Sequence, residues 1–141
     1  MNLYAESSAL LSWLLGEAAA PQVSEALKGA EHVAVSDLGI LECDRAILRG
    51  VTISRMDQAT AAERRARLEQ AAARWHRLRI TQEIIERARH PFPVEPLRTL
   101  DALHLASALA VRPFFPGIGV LSLDERIRNA ARPLGFQVYP G

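Results

Sequence analysis

The sequence predicts an α/β fold, a three-layer arrangement in which a short parallel central sheet is flanked by helices. Three observations predict the α/β class. Short apolar runs alternate with helix-length segments from one end of the chain to the other. The 141 residues are 49% hydrophobic, enough to build a core within the length of one ordinary domain. No repeat, linker or low-complexity stretch divides them, so residues 1–141 are expected to form a single domain.

The elements follow in order. Leu3-Tyr4-Ala5 is a first strand, and Glu6-Ser7-Ser8 turns it into a helix over 9–15 that Gly16 stops, with Ser7 or Ser8 as the cap. A second helix is predicted over 22–30 and a second strand over His32–Ser36. Residues 37–48 continue as a helix that Gly50 ends, with Leu38, Leu41 and Ile47 for the core and Glu42 and Arg45 on a shared face. The Ala- and Arg-rich stretch from 58 to about 75 is helical, Leu78-Arg79-Ile80 is a brief strand, and 82–88 is another helix. Pro91, Pro93 and Pro96 hold the next segment extended. Residues 100–111 form a helix with little polarity beyond Asp101, His104 and Ser107, so most of its surface must be buried. A strand at 119–121, a helix at 124–131 and a last strand at 136–139 complete the chain.

Charge is distributed unevenly although its net value is only +1. Residues 1–44 carry seven acids and one base, whereas residues 45–98 carry twelve arginines and six acids. Guanidinium pairs bidentately with phosphate, so an Arg-rich middle beside an acidic region suits a nucleic-acid backbone. The plainer reading is a solvated helix face. The lone cysteine, Cys43, lies between Glu42 and Asp44, which indicates neither a disulfide scaffold nor thiol catalysis. No signal peptide or bilayer-length apolar run is apparent, and a cytoplasmic location is expected.

Four carboxylates stand out because each occurs where an apolar run ends or a helix begins: Glu6, Glu42, Asp101 and Asp124. Desolvation and mutual repulsion both penalise acids gathered at such places, and a divalent cation relieves both. In parallel α/β sheets ligands bind at the carboxyl ends of the strands. Glu6 and Asp124 fall there directly, and Glu42 and Asp101 can face the same crevice.

Four stretches together resemble the PIN-domain ribonucleases, in particular VapC-type toxins of toxin-antitoxin systems, over nearly the whole chain. Tyr4-Ala5-Glu6-Ser7-Ser8-Ala9-Leu10 looks like the family's opening strand and acid, and Ser36 through Glu42 resembles its second motif. Thr99-Leu100-Asp101-Ala102-Leu103-His104-Leu105-Ala106 is the most specific match, and Leu121-Ser122-Leu123-Asp124 looks like the fourth acidic motif. The resemblance implies a hydrolase that cuts RNA phosphodiesters with water activated by Mg²⁺ or Mn²⁺. It implies metal ligands at Glu6, Asp101 and Asp124, with Glu42 beside them or on a second ion. A VapB-like antitoxin and a homodimer are further implications. One departure is Glu6, where the family usually has aspartate. It raises the alternative of a catalytically weakened binding module acting with an antitoxin on operator DNA.

Around the acids, Ser7 and Ser122 are candidates to hydrogen-bond a carboxylate or bound water, and Arg45 and Arg49 to steer phosphate or pair with Glu42 or Asp44. His104 reads as a packing residue with satisfied ring nitrogens, or as a hydrogen-bond partner at the site. Trp13, Trp75 and Phe92 read as core or partner contacts, and Asp37 and Asp44 as exposed or capping acids. A phosphatase or receiver-like domain fits poorly, because Lys28 is the only lysine and lies far from every acidic motif.

Overall fold

A computed structural model of the protein describes all 141 residues. In chain order the elements are β1 (Asn2–Ala5), α1 (Ser7–Leu15), α2 (Ala20–Gly29), β2 (His32–Ser36), α3 (Asp37–Thr52), α4 (Gln58–Ala72), β3 (His76–Leu78), α5 (Gln82–Ala88), α6 (Thr99–Val111), β4 (Gly119–Leu121), α7 (Glu125–Ala131) and β5 (Val138–Tyr139). All strand pairs are parallel, and the order across the sheet is β3-β2-β1-β4-β5. The chain therefore leaves β1 toward β2 on one side and returns to β4 on the other. That reversal makes the β1–β4 boundary a topological switch point, where the two crossovers diverge and open a crevice above the strand ends.

Strand alternation divides the core in two. On β1, Leu3 and Ala5 face a cluster that includes Leu10, Leu14, Val23, Ile40 and Leu68, drawn from the layer of α1 to α4. Tyr4 points the other way, into a cluster with Leu105, Ala108, Ile127 and Phe136 from α6, α7 and the approach to β5. Val33 and Val35 of β2 join the first cluster and Ala34 the second, as a period of two requires. Burying side chains such as Leu3, Leu10 and Leu105 stabilises the fold by about 2 kcal/mol each. Only two-residue β5 crowds β4: a Cβ at Gly119 would lie 2.5 Å from Cε2 of Tyr139, so this position takes glycine.

The three-layer α/β class is as the sequence predicts, with local differences. Glu6, rather than Ser7 or Ser8, caps α1, its side chain accepting the Ser8 amide N–H, while Gly16 ends the helix at a φ of 67° as expected. Helix α3 runs through Gly50 to Thr52, because tertiary packing of Ile47 outweighs about 1 kcal/mol of glycine cost. Leu41 is 56% exposed instead of core. Helix α4 stops at Ala72, and β3 occupies 76–78, two residues before the predicted strand, in register with Ala34 to Ser36. Asp37 does lie at the surface, paired with Arg77 at 2.5 Å. No helix is long and apolar enough to cross a membrane.

Candidate active site

A cavity of about 490 Å³ opens above the carboxyl ends of the strands, and Glu6, Glu42, Asp101 and Asp124 all line it. They come from four separate elements: the corner after β1, the second turn of α3, the first turn of α6 and the residue before α7. Three of them also serve helix N-termini. Glu6 caps α1, Asp124 caps α7 by accepting the Arg126 and Ile127 amides, and Asp101 accepts the Arg98 amide at the start of α6. These termini present partial positive charge to the cavity, which offsets part of the cost of gathering acids there.

Each carboxylate has its own protein donors. Glu6 is 3% exposed, and its Oε1 accepts the Ser7 hydroxyl at 2.8 Å while Oε2 accepts those of Ser122, at 2.7 Å, and Ser8. The Ser8 hydroxyl in turn accepts the Leu123 and Asp124 amides, and Ser122 also accepts the Asp124 amide. This hydroxyl set pins the loop after β4 against the corner after β1. Across the cavity, Arg98 spans Asp101 at 3.5 Å and Asp124 at 3.9 Å. Glu42 is held by His104, whose Nε2 lies 2.5 Å from Glu42 Oε1 and 4.0 Å from Glu6 Oε1. One chain of polar contacts therefore links all four acids: Glu42, His104, Glu6, Ser8 and Ser122, Asp124, Arg98, Asp101.

Common lining is not yet ligation. No three acidic or imidazole groups come together as a preformed set of metal ligands. Like charges repel across the cavity, and the serines, Arg98 and His104 draw each carboxylate toward its own partner. The chemistry of the donors nonetheless fits a hard divalent cation: the acids and hydroxyls offer only oxygen, and four carboxylates face one guanidinium. Cys43, the chain's one thiol, is fully buried on α3 within the core, where burial and then Glu42, Asp44 and Glu6 push its pKa up to about 12.

The remaining candidates divide. Ser7 and Ser122 touch Glu6 directly. Arg45 and Arg49 do not line the cavity; they flank a separate shallow groove with Leu48 and Thr52, and neither forms an ion pair with Glu42 or Asp44. The i,i+3 spacing put Arg45 near Glu42 along the helix, but Arg45 turns to the exposed face. His104 both packs and participates: it is 2% exposed with both ring nitrogens engaged, Nδ1 by the Tyr4 hydroxyl at 2.8 Å. Burial first, and the charges of Glu6 and Glu42 last, raise the Tyr4 pKa well above the ordinary phenol range, against the pull of Ser36 and Ser107. Trp13 and Trp75 line a different cavity, and Phe92 is core.

Sequence reasoning missed Tyr4, Ser8 and Arg98. Tyr4 carried a signal, since a phenol inside a buried strand must find a partner and shares a face with Glu6 two residues on. Arg98, three residues before Asp101, had helical spacing to it. Ser8 had none beyond its place at a helix start.

The PIN domain model matches residues 3–133. The chain is a member of the PIN-domain family. Among its PIN-domain relatives, Ribonuclease VapC46 of Mycobacterium tuberculosis is 30% identical over 139 residues, 96% of this chain and 95% of that protein. Ribonuclease VapC49 of the same organism is 28% identical over 138 residues, covering 98% and 94%. Among solved structures, the sarcin-ricin loop cleaving toxin VapC20 of M. tuberculosis matches with a TM-score of 0.66 at 15% identity, covering 96% of each chain. VapBC2 of Rickettsia felis, bound to a DNA fragment from its promoter, matches at 0.66 and 8%, covering 98% of this chain and 97% of that one. Those likenesses place the parallel sheet and its helical layers within the PIN-domain fold.

Proposed function

We propose that this PIN-domain protein is a divalent-metal-dependent endoribonuclease and the toxin half of a toxin-antitoxin pair. The observation that carries the reading is the meeting of four motif carboxylates, from four elements, around one cavity in a chain whose relatives are VapC ribonucleases. Glu6, Asp101 and Asp124 would hold Mg²⁺ or Mn²⁺, with Glu42 beside them. Bound there, such an ion acidifies water and neutralises charge on a phosphodiester.

The chain's own residues supply the rest. Ser7, Ser8 and Ser122 hold the Glu6 carboxylate, so that its charge is fixed at the switch point. Glu42 Oε2 makes no hydrogen bond within the protein and is free to take a proton from the attacking water. Arg98, 66% exposed at the rim, is the guanidinium placed to meet a phosphate. The longer Glu6 side chain is matched by hydroxyls from both β1 and β4 ends, which favours a working site over the weakened binding module.

VapBC2 of Rickettsia felis among the structural neighbours supports an antitoxin partner for this chain, and the family resemblance supports a homodimer. Incubation of the purified protein with total RNA and Mg²⁺ or Mn²⁺, followed by end mapping, tests the activity. Discrete cuts that require the ion and vanish in Asp101→Asn support the proposal; cutting that persists in Asp101→Asn, or none in the native protein, opposes it.

A further inference from the structure

We infer that His104, fixed on one side by the Tyr4 hydroxyl, is a positioning residue that sets the orientation of the Glu42 carboxylate. The inference rests on the metal reading for its effect on ion binding, but its geometry stands apart from it. Glu42 projects from α3, in one helical layer, whereas His104 belongs to α6, in the other. The contact between them therefore crosses the end of the sheet. A glutamate has three rotatable side-chain bonds, and ordering it costs rotamer freedom unless something else holds it. Glu42 has one hydrogen-bonding partner in the protein, His104, at 2.5 Å.

The ring that holds it is itself held. His104 is 2% exposed, so rotation would break two contacts at once. A carboxylate only accepts hydrogen bonds, which assigns the ring hydrogen to Nε2. In the neutral ring, Nδ1 is then the acceptor for the Tyr4 O–H at 2.8 Å. Tyr4 comes from β1, two residues before Glu6, and its ring meets that of His104 edge-on with centroids 6.0 Å apart. The strand that delivers Glu6 thus also orients, through one imidazole, the acid delivered by α3. Partners of this kind behind ligating groups change metal affinity by roughly 10- to 100-fold when removed.

The test is calorimetric Mn²⁺ titration of the full chain as wild type, Asp101→Asn, Tyr4→Phe, His104→Leu, His104→Gln, Glu42→Gln and the Glu42→Gln/His104→Leu double variant. His104→Leu should weaken Mn²⁺ binding by roughly 10-fold or more, Tyr4→Phe by less, and His104→Gln, whose amide can donate to Glu42, should recover part of the loss. If His104 acts through Glu42, the double variant binds no worse than Glu42→Gln alone. Additive losses, or unchanged binding in both His104→Leu and Tyr4→Phe, overturn the inference. Tyr4→Phe removes a single oxygen and keeps the packing, so it remains informative if His104→Leu misfolds. Failure of wild type to bind Mn²⁺, or equal binding by Asp101→Asn, would remove the metal reading instead. Nitrogen-15 NMR of the imidazole in metal-free protein decides the geometry separately: a single Nε2–H ring that loses this preference in Glu42→Leu supports it, and an Nδ1–H ring in the wild type overturns it.

Discussion

Two cavities of similar size, at opposite ends of the sheet, differ in what their walls require. The one of about 530 Å³ lies by the amino ends of β2 and β3, lined by both tryptophans and by Lys28, Arg67 and Arg74. Its cations are exposed, and one is already occupied, since the Arg67 guanidinium stacks 4.3 Å from the Trp13 ring centroid and donates to its backbone carbonyl. The acidic cavity instead contains carboxylates that are almost fully buried, Glu6 at 3% and Asp101 at 4% exposure. Water solvates the first set of charges at little cost. The second is tolerated only through helix termini, hydroxyls, Arg98 and His104. Volume and aromatic lining therefore do not locate the chemistry here; buried charge does.

Substitutions on each side sharpen this contrast. Asp101→Asn should lower RNA cleavage by on the order of 100-fold or more while the protein keeps its cooperative melt, because a neutral amide oxygen holds a divalent cation far more weakly than a carboxylate does. At the other cavity, Trp13→Ala should cost about 2 kcal/mol of stability through lost packing on α4 and Trp75, yet leave cleavage per folded molecule within about two-fold. A large loss of cleavage in Trp13→Ala, measured under conditions where the protein is folded, would break the comparison. Ser122→Ala removes one hydrogen bond to a buried carboxylate, worth about 1.5 kcal/mol, and should reduce kcat/KM roughly tenfold. Cys43 gives the smallest effect. Its thiol should resist iodoacetamide at pH 8 in the folded protein and react on unfolding. The folded thiol is raised from 9.0 to about 12, so its contribution to stability is complete below pH 9 and declines as pH rises toward 12. Rapid alkylation of folded protein would contradict its burial.

Much of the fold was legible because period-two strands and helix-length segments alternate without interruption, and 82–88 matches α5 residue for residue. The discrepancies share a cause, which is packing that local propensity cannot register. Gly50 lies inside α3 because Ile47 anchors that turn, and β3 takes its position from pairing with β2. At the site, the four acids were legible as motif positions at strand and helix ends. Their connections were not. That Ser8 would join Glu6 to the Asp124 loop, or that His104 would reach across the sheet to Glu42, depends on separations of 116 and 62 residues that no local pattern encodes. Arg45 shows the converse, since helical spacing to Glu42 suggested an ion pair that the two side chains do not form.

In the proposed function Glu6, Asp101 and Asp124 close on one cation with Glu42 beside it. Crystals soaked in Mn²⁺, with anomalous scattering recorded at the manganese edge, test it most directly. A peak is expected in the acidic cavity, about 2.0–2.3 Å from carboxylate oxygens of at least two of these residues and absent from Asp101→Asn crystals. Manganese bound only elsewhere on the protein, or a peak that Asp101→Asn leaves unchanged, would contradict it.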